Sequence, residues 1–512
     1  MATITTIDPV TRLEGHLKIE VKVDTVNGVQ QVVDAWATGT LFRGFEKILE
    51  GRAPEDAEHI TQRICGVCPV AHGLSAVLAL ENAYKLTIPN NALVMRNLVN
   101  AANFIQSHIL HFYHLAAPDF INGPAMPPWQ PSWNIDRRLD ANTTATLVNH
   151  YVQAIDMTRQ AHQLGALFGG RMPAPPAYVA GGFACDVTAA RIAAAKTLLA
   201  TLTPFITNVY LPDVAALAGA YGPAGSGRDW SKIGRGYGNL LAYGVFDLNA
   251  AGTTKLLKRG RVVNGATTVA TVNLAAIKEQ VTNSWYQDST NGLGPAAGQT
   301  VPQYPKANAY SWLKAPRLAR LPYEAGALAR MWVNGDYRQG ISVLDRHAAR
   351  AAETLKIATA ARTWLDQLVV GGPVWNSYSP PAAATGVGLT EAPRGAIGHW
   401  VATSGGKISR YQIITPTCWN ASPRDTVGKR GPIEQALIGT PVTDINQPTE
   451  VVRVIHSFDP CLSCAVHVMH AEEGAKIFRL GHYHTADEAA AGHDHDHDEH
   501  GHSHDEAHDH VH

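Results

Sequence analysis

Apolar and polar residues alternate with period two over residues 17–23, as Leu-Lys-Ile-Glu-Val-Lys-Val. This spacing predicts a strand with one buried face. Asn27-Gly28 follows as a hairpin-turn pair, and residues 32–40 are expected to return as a second strand. From about Ala53 the period becomes helical. Pro54-Glu55-Asp56 opens a helix with acids in its first turn, and residues 72–84 continue it with small and apolar side chains. Longer helices are predicted over 92–115, 141–167 and 188–210, with Gly- and Pro-rich separators at 122–133 and 169–182. Residues 223–315 are richer in Gly, Asn, Thr and aromatic residues, so an irregular or β-containing insertion is expected. Helical spacing returns over 323–368. Residues 371–460 are again punctuated by Gly and Pro, with one strand-like run at 408–415. No internal repeat is evident. The expected architecture is α+β: mainly helical, with small peripheral sheets, in one large unit.

With 512 residues, 45% of them apolar, the chain can bury a sizeable core and is not globally disordered. Its formal net charge of -1 argues against a nucleic-acid-coating protein. That neutrality is a sum of two unlike parts. Residues 468–512 hold two basic residues against eleven acids, a net of -9, and residues 1–467 carry the compensating +8. Twelve of the 24 histidines also fall after residue 467. The N-terminus lacks an apolar signal core, so no cleavable secretion signal is expected. No run of about 18 uncharged apolar residues appears, so no membrane span is expected.

Six cysteines are too few for a disulfide scaffold. Four of them form two C-x-x-C pairs, Cys65/Cys68 and Cys461/Cys464, near opposite ends of the chain. Two intervening residues let both sulfurs of a pair meet one metal. Four thiolates make a soft site suited to zinc, iron-sulfur or another late transition metal. A structural zinc clamp therefore competes with a catalytic centre. A thioredoxin-like disulfide motif fits less well, because neither pair opens a strand-helix unit.

The stretches Arg63-Ile64-Cys65-Gly66-Val67-Cys68-Pro69 and Asp459-Pro460-Cys461-Leu462-Ser463-Cys464-Ala465-Val466-His467 resemble the large subunit of [NiFe]-hydrogenases. Further matching stretches fall in order: Thr11 to His16, Phe42 to Glu46, His111 to Leu115, Glu391 to Gly395 and Pro416 to Asn420. The resemblance implies a nickel-iron centre on Cys65, Cys68, Cys461 and Cys464, with cyanide and carbon monoxide on the iron. By motif position Cys65 and Cys461 are terminal and Cys68 and Cys464 bridge the two metals. It further implies reversible heterolytic cleavage of H2, with Glu14 as proton acceptor. Arg394, beside Pro393, lies over the open metal position, and Thr417 donates a hydroxyl to a cyanide. His72 donates to a bridging sulfur. Asp459 is either a turn acid beside Pro460 or an active-site carboxylate near Arg394. A separate Mg2+ site is implied on Glu46, the Ile413 carbonyl and His467. Two positions depart from the family pattern: Ala174 stands where many relatives have His, and Ser107 where some have Asp. Cys185 and Cys418 are expected to be buried structural thiols.

The resemblance also divides the chain into a mature part, 1–467, and a propeptide, 468–512, removed by an endopeptidase cutting after His467. The His/Asp alternation from Gly492 onward cannot build a core. It is either a metal-holding tail or a solvated extension without a role. Electrons must leave through an iron-sulfur small subunit, with a membrane cytochrome b as a further partner. The expected location is the periplasmic face of the cytoplasmic membrane, a cytoplasmic enzyme being the alternative. The competing readings are a non-catalytic relative, comparable to the quinone-site subunit of respiratory complex I, and the zinc-clamped protein.

Overall fold

The computed structural model describes residues 2–130, 132–133 and 135–465, with side chains through Ser463. The described residues begin with an antiparallel sheet of Thr3–Ile7, Leu17–Val26 and Val29–Gly39. Its middle strand buries Leu17, Ile19, Val21 and Val23, as the alternation predicts. The first strand carries no sequence signal, because its five residues, Thr-Ile-Thr-Thr-Ile, are exposed or half-buried and do not alternate cleanly.

Helices form the body. The first long one, Pro69–Tyr84, begins on the proline that ends the first cysteine pair. Asn90–Leu110 is almost wholly buried. Ala141–Gly169 and Val343–Leu365 pack beside it. Ala189–Phe205 continues through a wide turn at Ile206–Tyr210 into Leu211–Tyr221, further than periodicity suggested. This stretch is long and apolar enough to cross a membrane by length and composition alone. That qualifies the expectation of no span, although Leu199, Leu202 and Phe205 join the main core. The predicted helix at 323–368 is two helices, Ala327–Asn334 and Val343–Leu365, broken around Gly335 in the left-handed region. Residues 223–315 hold short strands and single helical turns, as expected.

One sheet exceeds the sequence expectation. Ala383–Ala392, Gly395–Ser404 and Lys407–Ile414 form an antiparallel meander, and only the last strand was anticipated. The first of these strands lies along Pro69–Tyr84. A Cβ on Gly388 would stand 1.9 Å from the Ser75 carbonyl oxygen, and one on Gly386 would stand 2.2 Å from that of Ala79. The two glycines that weaken the strand signal are the ones that permit this approach. Ser75 Oγ donates to the Gly388 carbonyl at 2.8 Å and locks the contact.

His347, on Val343–Leu365, is buried and its ring stacks on His111 at 5.6 Å. Neither ring nitrogen has a hydrogen-bond partner among the described residues. Burial, and then the nearby Arg350 charge, push the imidazole down to about 3. The folded pKa lies below the unfolded one, so the unfolded chain takes the proton first. The stability involved is present above pH ~6.5 and is lost as pH falls, by about 2 kcal/mol between pH 6.5 and 5. His347→Phe should therefore flatten the pH dependence of unfolding across that window by about one proton. An unchanged slope in denaturant titrations would contradict this.

Candidate metal centre

The two ends of the chain meet on one short pairing. Glu14 and Cys461 form an isolated parallel bridge, and Leu462 N donates to the Glu14 carbonyl at 2.6 Å. Gly15 makes it possible. Its φ is +84°, and a Cβ there would stand 2.4 Å from Ser463 N. Arg12 and Asp459, on the two segments that converge, also adopt left-handed backbone, at φ 53° and 55°. Such conformations in non-glycine residues persist where the surroundings fix them. Arg12 is held by the Leu115 carbonyl and by Asp119, which in turn binds His456 Nδ1 at 2.6 Å.

Three sulfurs converge at this junction. Cys65 Sγ lies 3.2 Å from Cys461 Sγ and 3.2 Å from Cys68 Sγ. All three residues are buried, and their sulfurs lie within 4.8 Å of one another. The loop from Cys65 to Cys68 turns its own N–H groups inward: Val67 N and Cys68 N donate to Cys65 Sγ at 3.3 and 3.2 Å. Such donors stabilise thiolate character. The helical turn Leu462–Ala465 includes Cys464, whose side chain lies outside the described residues. His467 also lies outside them.

The other expected site residues are partly drawn in. The Cys461 thiol donates to Glu14 Oε2 at 3.2 Å, and Ser463 N donates to the same oxygen at 3.2 Å. Burial, then the charge of Cys65, raise the Glu14 carboxyl above its usual range. Arg394 Nε donates to Asp459 Oδ1 at 3.1 Å, so Asp459 is an arginine partner as well as a turn residue. Arg394 Nη1 and Asp459 Oδ2 are buried without a hydrogen-bond partner among the described residues. Thr417 Oγ1 accepts from Cys461 N at 3.0 Å, which leaves its own proton to donate. His72 Nδ1 faces His399 Nε2 at 3.3 Å, and His399 Nδ1 reaches the Tyr411 hydroxyl at 2.9 Å.

Glu46 is buried, and Oε1 accepts from the Ile413 backbone N–H at 2.9 Å. Thr300 donates to Oε2, and Lys314 Nζ lies 3.8 Å away, as well as 3.7 Å from Glu279. Ser107 is fully buried on Asn90–Leu110. Ala174 lines a surface cavity of about 310 Å³ with Cys65, Arg63, Arg171 and Met172. Cys185 and Cys418 are half-buried, which corrects the expectation of two buried thiols. Cys185 follows a short strand, Gly182–Phe183, and Cys418, within the one-turn helix Pro416–Asn420, accepts from the Thr415 hydroxyl at 3.3 Å.

The motifs gave no sign of what fixes Arg394. Arg330 is fully buried and donates to both oxygens of Glu353 at 2.7 Å and to Glu391 at 2.9 Å. It also donates to the carbonyls of Ala392 and Pro393, at 3.0 and 2.8 Å, and so clamps the strand end that carries Arg394. His108 Nε2 completes the group on Glu353 at 2.8 Å. The only sequence signal was the placing of charged residues within otherwise apolar stretches.

The donor set fits a soft metal: converging thiols in a dry site, with an unsatisfied guanidinium N–H and a carboxylate oxygen nearby. The nickel-dependent hydrogenase family matches residues 43–132, 127–340 and 335–467. The chain belongs to the nickel-dependent hydrogenase large-subunit family. A HoxL-like family matches residues 4–33. The periplasmic [NiFeSe] hydrogenase large subunit of Desulfomicrobium baculatum is 41% identical, over 91% of this chain and 95% of that protein. An uptake hydrogenase large subunit of Bradyrhizobium diazoefficiens is 35% identical, over 93% and 96%. The solved Ni-Fe-Se hydrogenase of D. vulgaris Hildenborough in its reduced state superposes with a TM-score of 0.86. That match is 40% identical and covers 91% of this chain and all of the other. This chain is thus the catalytic large subunit of a hydrogenase with a nickel-iron centre, one that pairs with a small subunit and acts on H2. The zinc-clamp and non-catalytic readings fall away. Its own four motif positions all carry cysteine.

Removing one partner of the buried Arg330 group leaves carboxylates uncompensated, at a cost of about 3–5 kcal/mol. Arg330→Met should lower the unfolding midpoint markedly and abolish H2-dependent dye reduction, whereas a variant that keeps both would show that the clamp is dispensable.

Proposed function

We propose that Cys65, Cys68, Cys461 and Cys464 would hold the nickel-iron centre through their sulfurs. When bound, the centre supplies a soft, electron-rich site for heterolytic cleavage of H2. The protein's own part is to move the proton and hold the ligands. Glu14 takes the proton from Cys461 Sγ. The 3.2 Å contact between those atoms carries this reading, and the raised carboxyl pKa suits a group that must accept and then release a proton. Arg394, through Nη1, and Thr417, through its hydroxyl, would donate hydrogen bonds to the cyanide ligands of a centre that also carries carbon monoxide. Asp459 and Pro393 orient Arg394. His72 donates to a bridging sulfur, with its ring orientation set by His399 and Tyr411.

Electrons leave on the side where Cys65 opens into the cavity lined by Arg171 and Ala174, toward the clusters of an iron-sulfur small subunit. Glu46, the Ile413 carbonyl and His467 hold Mg2+, with Lys314 and Glu279 balancing the charge around it. Residues 1–467 are the mature chain and 468–512 a propeptide cut off by an endopeptidase after His467. The family match that ends at residue 467 supports this boundary. The enzyme is of the uptake type, exported with its small subunit to the periplasmic face of the cytoplasmic membrane and coupled there to a cytochrome b. The periplasmic relative supports that location.

The test is Glu14→Gln in the purified two-subunit enzyme. The amide keeps the shape of the contact and cannot carry the proton. H2-dependent dye reduction should fall by about 100-fold or more, with nickel and iron contents unchanged. Full activity would overturn the relay. Cys461→Ser should lose both nickel and activity.

A further inference from the structure

Arg330 holds the strand end before Arg394, and Glu353 on Val343–Leu365 holds Arg330. The same face of that helix reaches the other half of the site. Arg346, Arg350 and Glu353 are spaced by four and three residues, so they stand in one row, and all three are buried. Arg346 Nη1 donates to Ser457 Oγ at 3.4 Å, and its guanidinium lies 3.7 Å from the Phe458 ring centre. Its Nε and Nη2 are anchored on the two oxygens of Glu324, at 2.8 and 2.7 Å. One turn on, Arg350 Nη2 donates to the Ser457 carbonyl at 2.9 Å. Ser457 ends the helix Thr449–Ser457, where the last carbonyls lack partners in their own helix. Arg350 takes up one of them where the chain turns toward Cys461, and Asp459 follows in left-handed backbone. One helix face thus grips both segments that the Arg394–Asp459 contact joins.

Arg350 differs from its neighbours in one respect. Arg330 and Arg346 each bind a carboxylate through two nitrogens. The hydrogen bonds of Arg350 among the described residues go to backbone carbonyls alone, those of Arg346 and Ser457, and its Nε has no partner there. Burial lowers its guanidinium below the usual range, and the Asp459 carboxylate is the charge that acts most strongly against this. A buried cation without a paired carboxylate lowers stability. Arg394 already holds Asp459 by Oδ1, while Oδ2 has no hydrogen-bond partner among the described residues.

We propose that Arg350 is a positioning residue for the cleavage of H2. It fixes the turn from Ser457 to Asp459. Through its charge it also sets the orientation of the Asp459 carboxylate, and so that of the Arg394 guanidinium. This rests on the reading of Arg394 as a donor to the centre. Arg350 acts through Asp459, and no proton or electron passes through it.

The experiment uses the purified two-subunit enzyme and reads the infrared bands of cyanide and carbon monoxide together with turnover. Arg350→Gln keeps an amide donor for the Ser457 carbonyl and removes the charge. It should load nickel and iron as the unmodified enzyme does, displace the cyanide bands, and lower kcat about tenfold with the KM for H2 unchanged. Arg350→Lys restores the charge and should return the bands and most of the turnover. A cavity elsewhere in the core, Leu199→Ala, should lower the unfolding midpoint and leave the bands in place. A loaded Arg350→Gln enzyme with unshifted bands and full turnover would overturn the proposal. So would a loaded Arg350→Lys enzyme as impaired as the glutamine variant, or displaced bands in Leu199→Ala. Should Arg350→Gln fail to load, the lysine variant decides alone. Loaded with unshifted bands and most of its turnover, it supports the proposal; loaded and about tenfold slower, it overturns it. Failure of the nickel-iron reading is separate: the unmodified enzyme would then show no cyanide bands.

Discussion

Glu14 and Cys461 lie 447 residues apart in sequence and touch twice, once through backbone pairing and once through the thiol-carboxylate contact. Closing a loop of that length costs about 5 kcal/mol of chain entropy. A hydrogen bond contributes about 1 kcal/mol net, so these contacts cannot hold the ends together. The helical core between them must do so. Burial of Asn90–Leu110 against Ala141–Gly169 and Val343–Leu365 brings the two cysteine segments to one place, and the pairing then fixes their register. The site is thus a consequence of the whole fold, and Gly15 is the point at which the approach succeeds or fails.

Around that junction the interior is unusually charged. Arg330, Arg394, Glu353, Glu391 and Asp459 are all nearly or fully inaccessible. Each ion costs several kcal/mol to bury unless it is paired. Here the pairs are multidentate and share their partners with backbone carbonyls, as when Arg330 binds Glu353, Glu391 and the carbonyls of Ala392 and Pro393. Such a network fixes position more than it adds stability. It holds Arg394 against Asp459, with Nη1 left without a hydrogen-bond partner among the described residues.

The chemistry was legible in the sequence wherever it depended on residue identity at fixed spacing. Among the described residues, Cys65, Cys68 and Cys461 lie together, with Glu14 on Cys461, Thr417 on the Cys461 backbone and Arg394 on Asp459. Geometry made by what is missing was not legible. The strand Ala383–Ala392 is obscured by Gly386 and Gly388, whose lack of a side chain allows a helix to lie on it. Arg330 and His399 carry no motif, because their partners lie on other elements: Glu353 and Glu391 stand 23 and 61 residues from Arg330, and His399 meets His72, 327 residues away, and Tyr411 on the neighbouring strand. The half-buried state of Cys185 and Cys418 depends on loop placement that periodicity does not report.

The central claim is that both chain ends bind one nickel through four sulfurs. X-ray absorption at the nickel edge of the purified enzyme tests it most directly. Four sulfur neighbours with an iron atom close by, and no nickel in Cys461→Ser, is the expected result. A nickel shell dominated by nitrogen or oxygen, or one unaffected by that substitution, would contradict the account.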